Sequence, residues 1–278
     1  MRTSLIITTY NWKEALELSL LSIFKQSQLP DEVIIADDGS DNATKEAIER
    51  LAKDSPIPLI HSWQQDKGFR LARSRNKAIA KSTGEYLIFI DGDILLEQHF
   101  IADHNLAAKA GFFVQGTRVL LNKKTTQHIL EHKKLRVCAC TLGVGNRKNC
   151  LRSNLLSRLF SFSSKNLTGI RTCNFAIWRN DALAVNGFNE EFMGWGREDS
   201  ELAVRLLNNG VRRQNIRFNA LAYHLYHPAN SRKSLKINDT ILANTCDNQL
   251  TWCNKGLSCH LQDSTFHPND RIKPAKEN

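Results

Sequence analysis

Four short, almost wholly apolar runs recur in the first ninety residues: "SLIITT" (4–9), "EVIIAD" (32–37), "PLIHS" (58–62) and "EYLIFID" (85–91). Each is too short to be a helix. Between them lie three longer stretches of helical composition, residues 14–26, 43–53 and 70–81. A strand that is apolar on both faces must be covered on both faces. Parallel sheets meet that condition, because each crossover lays a helix against them. The pattern therefore predicts an α/β fold with βαβ units and a parallel sheet.

Open α/β sheets bind ligands beyond the carboxyl ends of their strands. Three of those ends carry polar or acidic groups: "TTYN" (8–11), "ADDGSD" (36–41) and "DGD" (91–93). Each Asp-Gly step alone could be a simple turn; three gathered at one edge point to a site. Asp91 and Asp93 repel one another unless a cation lies beside them. Mg2+ or Mn2+ suits such oxygen ligands and commonly bridges protein carboxylates to substrate phosphates. The chain has no Walker loop and no GxGxxG, which argues against an ATPase or a dinucleotide dehydrogenase.

The 278 residues suffice for one large domain or two small ones. The apolar run after Met1 is about five residues, too short for the core of a signal peptide. No run approaches the ~18 residues of a membrane span. Those two observations set the expectation of a cytoplasmic protein. Seven cysteines without a CxxC pair make reduced thiols the default. The net charge of +10 is concentrated between Arg118 and Arg171, where twelve Arg or Lys stand against Glu131 alone, 12 − 1 = +11. Within it, residues 147–162 place Leu151, Leu155, Leu159 and Phe162 on one face of a helix. Such a basic amphipathic helix either lies on an anionic membrane surface or packs on the core. No pattern for nucleic-acid binding accompanies it.

The ordered set "IITTYN", "IIADDGSD" and "DGD", with "QQDKGFRLARSRNKAIAKSTGEYLIFIDGD" (64–93), resembles family 2 glycosyltransferases of GT-A fold. The similarity is to the branch of β1,4-galactosyltransferases and bacterial chondroitin polymerases. "CNFAIWRNDALAVNGFNEEFMGWGREDSELAVRLLNNG" (173–210) is similar to the acceptor motif of that branch, with Arg197 where the family carries glycine. The resemblance spans about residues 5–227. Domain boundaries follow as 1–228 for the GT-A unit, with a nucleotide-sugar half (1–115) and an acceptor half (116–228), then a polar extension (229–278).

The resemblance implies a metal-dependent, inverting transfer of a sugar from a nucleotide diphosphate, with UDP the expected nucleotide, to a glycan or lipid-linked glycan hydroxyl. Asp199 is then the candidate base, Glu198 its neighbour holding hydroxyls, and Trp195 with Gly196 the acceptor platform. From local pattern alone, an Asp or Ser that caps the helix opening here is favoured over a base, and the resemblance is what turns the assignment to catalysis. Asp93 would ligate Mn2+ (or Mg2+), with His224 as further ligand and His227 as its rival. Thr8, Tyr10, Asp38, Asp66, Arg75 and Asp91 would bind the donor, Arg75 either pairing with Asp66 or reaching the diphosphate. A sugar-1-phosphate nucleotidyltransferase and a non-catalytic nucleotide-sugar binder are the competing readings.

Overall fold

The computed structural model describes residues 1–261; the final "HPNDRIKPAKEN" lies outside the described residues. The first half follows the alternation: β1 (Thr3–Thr9), α1 (Lys13–Phe24), β2 (Glu32–Asp37), α2 (Asn42–Lys53), β3 (Leu59–Trp63), α3 (Leu71–Lys81) and β4 (Tyr86–Asp91). Strands β3-β2-β1-β4 are parallel neighbours in that order. Alternation along each strand divides the core. Leu5, Ile7, Val33, Ile35, Ile88 and Ile90 pack on one face, Ile6, Ile34, Leu87 and Phe89 on the other. Full burial of each such side chain stabilises by roughly 1.5–3 kcal/mol.

Parallel order ends at β4. After β5 (Ile94–Leu96), α4 (Phe100–Ala107), β6 (Phe112–Gln115), β7 (Val119–Leu120) and α5 (Lys123–His132), the basic segment leads to α6 (Asn154–Phe160) and β8 (Phe162–Ser164). Then β9 (Phe175–Trp178) runs antiparallel between β4 and β6, followed by α7 (Arg179–Ala184), α8 (Glu198–Asn208), β10 (Arg212–Asn215) and β11 (Ala222–His224). The large sheet has the order β3-β2-β1-β4-β9-β6-β10-β8, and a small sheet β5-β11-β7 lies beside it.

One continuous helix over 147–162 does not form. The stretch divides into a 3-10 turn at 147–150, α6 and β8, because Ser153 caps α6 and Ser161 ends it in extended backbone. Leu155, Leu159, Phe160 and Phe162 are exposed. The segment after residue 228 folds onto the domain through α9 (Leu235–Asp247). Asn238 is buried and donates to the Gly196 carbonyl at 2.8 Å, and Leu257 is buried against the α3 side. Packing thus continues across the expected boundary at 228. Among the described residues no helix is long and apolar enough to cross a membrane.

Candidate active site

The carboxyl ends of β1, β2 and β4 form one edge. Thr8 pairs with Asp91 in register, and its hydroxyl donates to Asp91 Oδ1 at 3.1 Å. Gly92 lies against the end of β1: a Cβ there would meet the Thr8 carbonyl oxygen at 2.5 Å. Glycine is therefore a packing requirement between the two aspartates. Gly92→Ala is expected to cost about 1–3 kcal/mol, read as a lower calorimetric midpoint.

Asp93 opens the turn into β5, where Leu225 donates its backbone N–H to the Asp93 carbonyl at 2.9 Å. That register brings β11 alongside. Nε2 of His224 lies 3.4 Å and Nε2 of His227 3.2 Å from Asp93 Oδ2. The two histidines, posed as rivals by the sequence, thus converge on one carboxylate, and the three ligand atoms lie within 4.8 Å of one another. His227 Nδ1 contacts the Pro228 carbonyl at 2.7 Å, an outer contact of the kind that leaves Nε2 free to ligate. Asp93 Oδ1 is buried and has no hydrogen-bond partner among the described residues. Burial, then the charge of Asp91, pushes Asp93 up to about 8; burial, then Arg118, pushes His224 down to about 3. An unpartnered carboxylate oxygen beside a neutral imidazole is a donor set that fits a divalent cation, and the nitrogen ligands favour Mn2+ over Mg2+.

Arg75 holds the second cluster. It lies in α3, fully buried, over the Phe188 ring at 5.1 Å. Its guanidinium reaches Asp199 (3.1 Å), Glu198 (3.3 Å) and Asp91 (3.4 Å). Of the two roles expected for Arg75, pairing with Asp66 is not seen: the partners of Asp66 are the Tyr10 hydroxyl (3.0 Å) and the Gly68 N–H (2.9 Å). Arg75 is ion-paired to the three carboxylates instead. Burial, then Asp199, pushes Glu198 up to about 8. Asp199 accepts from the Thr172 N–H (3.0 Å) and hydroxyl (2.9 Å), and its side chain is more exposed than that of Glu198, 20% against 10%.

Arg75→Met leaves Glu198, Asp91 and Asp199 without their shared counterion and is expected to cost roughly 3–5 kcal/mol above about pH 8. Glu198, already raised to about 8 by burial and then by Asp199, loses the Arg75 charge that opposes that rise. Its folded value then lies higher than in the parent, so the deficit grows as pH rises through about 8. Thermal melts of variant and parent at about pH 7 and about pH 9 check this.

Asp199 does not cap α8. Arg197 occupies that position with φ +79, a left-handed backbone that glycine adopts without strain. Arg197 is held instead by an exposed ion pair to Asp239 at 2.6 Å. Gly196 lies against Leu235, and the Trp195 ring is half-exposed with Arg232 5.9 Å above it. On the donor side, Asp38 is buried, accepting from Gln64 Nε2 (2.6 Å) and the Arg70 N–H (2.7 Å). Tyr10 is exposed beside it, tied to Asp66. The sequence did not single out Arg118 or Thr172; the only hint was that Arg118 opens the basic segment and Thr172 directly follows it.

The profile of glycosyl transferase family 2 matches residues 4–184, and that of the "N-terminal domain of galactosyltransferase" matches residues 159–228. Chondroitin synthase of Escherichia coli is 28% identical over 83% of this chain and 36% of its own length. Validoxylamine A glucosyltransferase of Streptomyces hygroscopicus subsp. limoneus is 26% identical over 75% of this chain and 48% of its own. The chain thus spans half or less of either relative. The structure of S. aureus TarS 1-349 with UDP superposes with TM-score 0.62 at 18% identity, covering 88% of this chain and 65% of TarS 1-349. GalNAc-T7 with UDP, GalNAc and Mn2+ gives 0.61 at 14%, covering 82% and 43%. These neighbours share the GT-A fold. With nearly two thirds of its length matched by a single profile, the chain belongs to glycosyl transferase family 2.

Proposed function

We propose that the chain is a metal-dependent inverting glycosyltransferase that moves a sugar from a nucleotide diphosphate, UDP by preference, to a hydroxyl of a surface-glycan acceptor. The observation that carries this reading is the convergence of Asp93, His224 and His227 beside Asp91, with Asp93 Oδ1 buried and unpartnered. TarS and GalNAc-T7, which share the fold, are described with UDP. Asp93, His224 and His227 would hold the cation, and when bound it supplies positive charge against the departing diphosphate. Tyr10 offers the donor base a stacking face, Asp38 an acceptor for an imide N–H, and Asp91 an acceptor for ribose or sugar hydroxyls. Asp199 takes the proton from the acceptor hydroxyl as it attacks, in one in-line displacement. Arg75 and Thr172 fix the orientation of that carboxylate. Trp195 gives the acceptor ring an apolar face. The exposed leucines of the basic segment suit peripheral contact with an anionic membrane from the cytoplasmic side.

Incubation with a panel of nucleotide sugars and Mn2+ tests the reaction: release of nucleoside diphosphate on adding acceptor is expected. Pyrophosphate-dependent breakdown of the sugar nucleotide would favour a nucleotidyltransferase instead, and binding without turnover a non-catalytic role. Metal ligation has a separate signature. A cation replaces the proton on Asp93, so the rise in melting temperature caused by Mn2+ should be larger at pH 8 than at pH 6.5. Differential scanning calorimetry reads this directly.

A further inference from the structure

We infer that the acceptor is anionic, and that its carboxylate or phosphate is seated in an arginine-lined cavity beside the catalytic carboxylate; the inference rests on the glycosyltransferase reading. A cavity of about 320 Å³ opens between β6, β8 and β10, and Arg118, Arg171, Arg213 and Arg217 line it with no acidic residue in its wall. That volume suits a sugar-sized ligand. None of the four arginines forms an ion pair among the described residues. Arg213 is only 5% exposed; its Nη1 donates to the carbonyls of Asn166 and Thr168, while its Nε is buried with no partner. A buried charge is otherwise paired, and the half-buried Arg118 with the exposed Arg171 and Arg217 adds positive charge around the same space, which suits an anion.

The cavity's position assigns that anion to the acceptor. Arg171 is followed by Thr172, which donates twice to Asp199. Arg118 precedes β7, whose Leu120 pairs with His224. A ligand there has its anionic end among the arginines and a hydroxyl within reach of Asp199. The donor-side groups Thr8 and Asp91 lie at the ends of β1 and β4 and Asp38 directly follows β2, across β9 from β6 and β10. A diphosphate held at Asp93 would leave the far arginines, Arg213 and Arg217, without a partner.

Calorimetric titration of the protein with methyl glucuronide, methyl glucoside and glucose 6-phosphate, each in the presence of Mn2+ and UDP, tests the inference. At least one anionic sugar should bind at least tenfold more tightly than the neutral glucoside, about 1.4 kcal/mol. Preference for the glucuronide identifies a carboxylate acceptor, preference for the phosphate a phosphorylated one; either supports the inference. Arg217→Gln should erase most of that preference and leave the weak affinity for the glucoside unchanged. Equal affinity for charged and neutral sugars, binding of neither anion, or a preference that survives in both Arg217→Gln and Arg171→Gln overturns it. UDP titration in the same samples separates the outcomes: failure to bind UDP with Mn2+ defeats the glycosyltransferase reading itself.

Discussion

Asp93→Ala is expected to reduce Mn2+-dependent UDP affinity by at least about 100-fold. The substitution removes the only anionic member of the triad and leaves two imidazoles, of which His224 is held neutral by burial and by Arg118. Stability should not fall with it. The Asp93 carboxyl is buried, pushed up to about 8, and leaves one oxygen unpartnered, so its removal relieves an unfavourable burial. Titration calorimetry with and without Mn2+, beside a melting curve, separates loss of the site from loss of the fold. A variant that still binds UDP in a metal-dependent way would move the metal elsewhere.

Asp199→Asn is expected to lower transfer by about 10²–10⁴-fold with UDP affinity changed less than twofold, the span that a positioned general base contributes. Asparagine keeps one oxygen for the Thr172 N–H, the Thr172 hydroxyl can turn to accept from the new amide nitrogen, and Arg75 keeps Asp91 and Glu198 as counterions. Geometry is therefore largely preserved while the proton acceptor is lost. Single-turnover transfer rates give the comparison, with Glu198→Gln as the second arm. Normal transfer by Asp199→Asn, with loss in Glu198→Gln, would assign the base to Glu198.

Much of the fold is legible in the sequence. Strands β1 to β4 and helices α1 to α3 lie within two residues of the expected spans, because doubly buried strands are continuous apolar runs and because Asp41 caps α2 through the Thr44 N–H. The edge carrying Thr8, Asp38 and Asp91 followed from the strand ends. The partners of Arg75 did not, since Glu198 and Asp199 lie 123 and 124 residues away. One local signal was present: Arg75 occupies the stripe of Ala72 and Ile79, three and four residues apart, where an apolar side chain would be expected. His224 and His227 could not be ranked because the chain leaving β11 brings both to Asp93. Helix α9 escaped notice for a different reason. Its anchors are the polar Asn238 and Thr245, buried through hydrogen bonds to Gly196 and Glu201, so hydropathy carried no trace of them.

On the proposed function, Asp93, His224 and His227 would hold one cation, which would supply positive charge to the phosphates of a sugar nucleotide at the end of β4. A crystal structure of the protein soaked with MnCl2 and UDP, phased for manganese anomalous scattering, tests it most directly. The account predicts one strong anomalous peak bonded to those three side chains and to the UDP phosphates, with the uracil near Asp38. Nucleotide bound with no manganese at residue 93, or an empty crevice at saturating UDP, would contradict it.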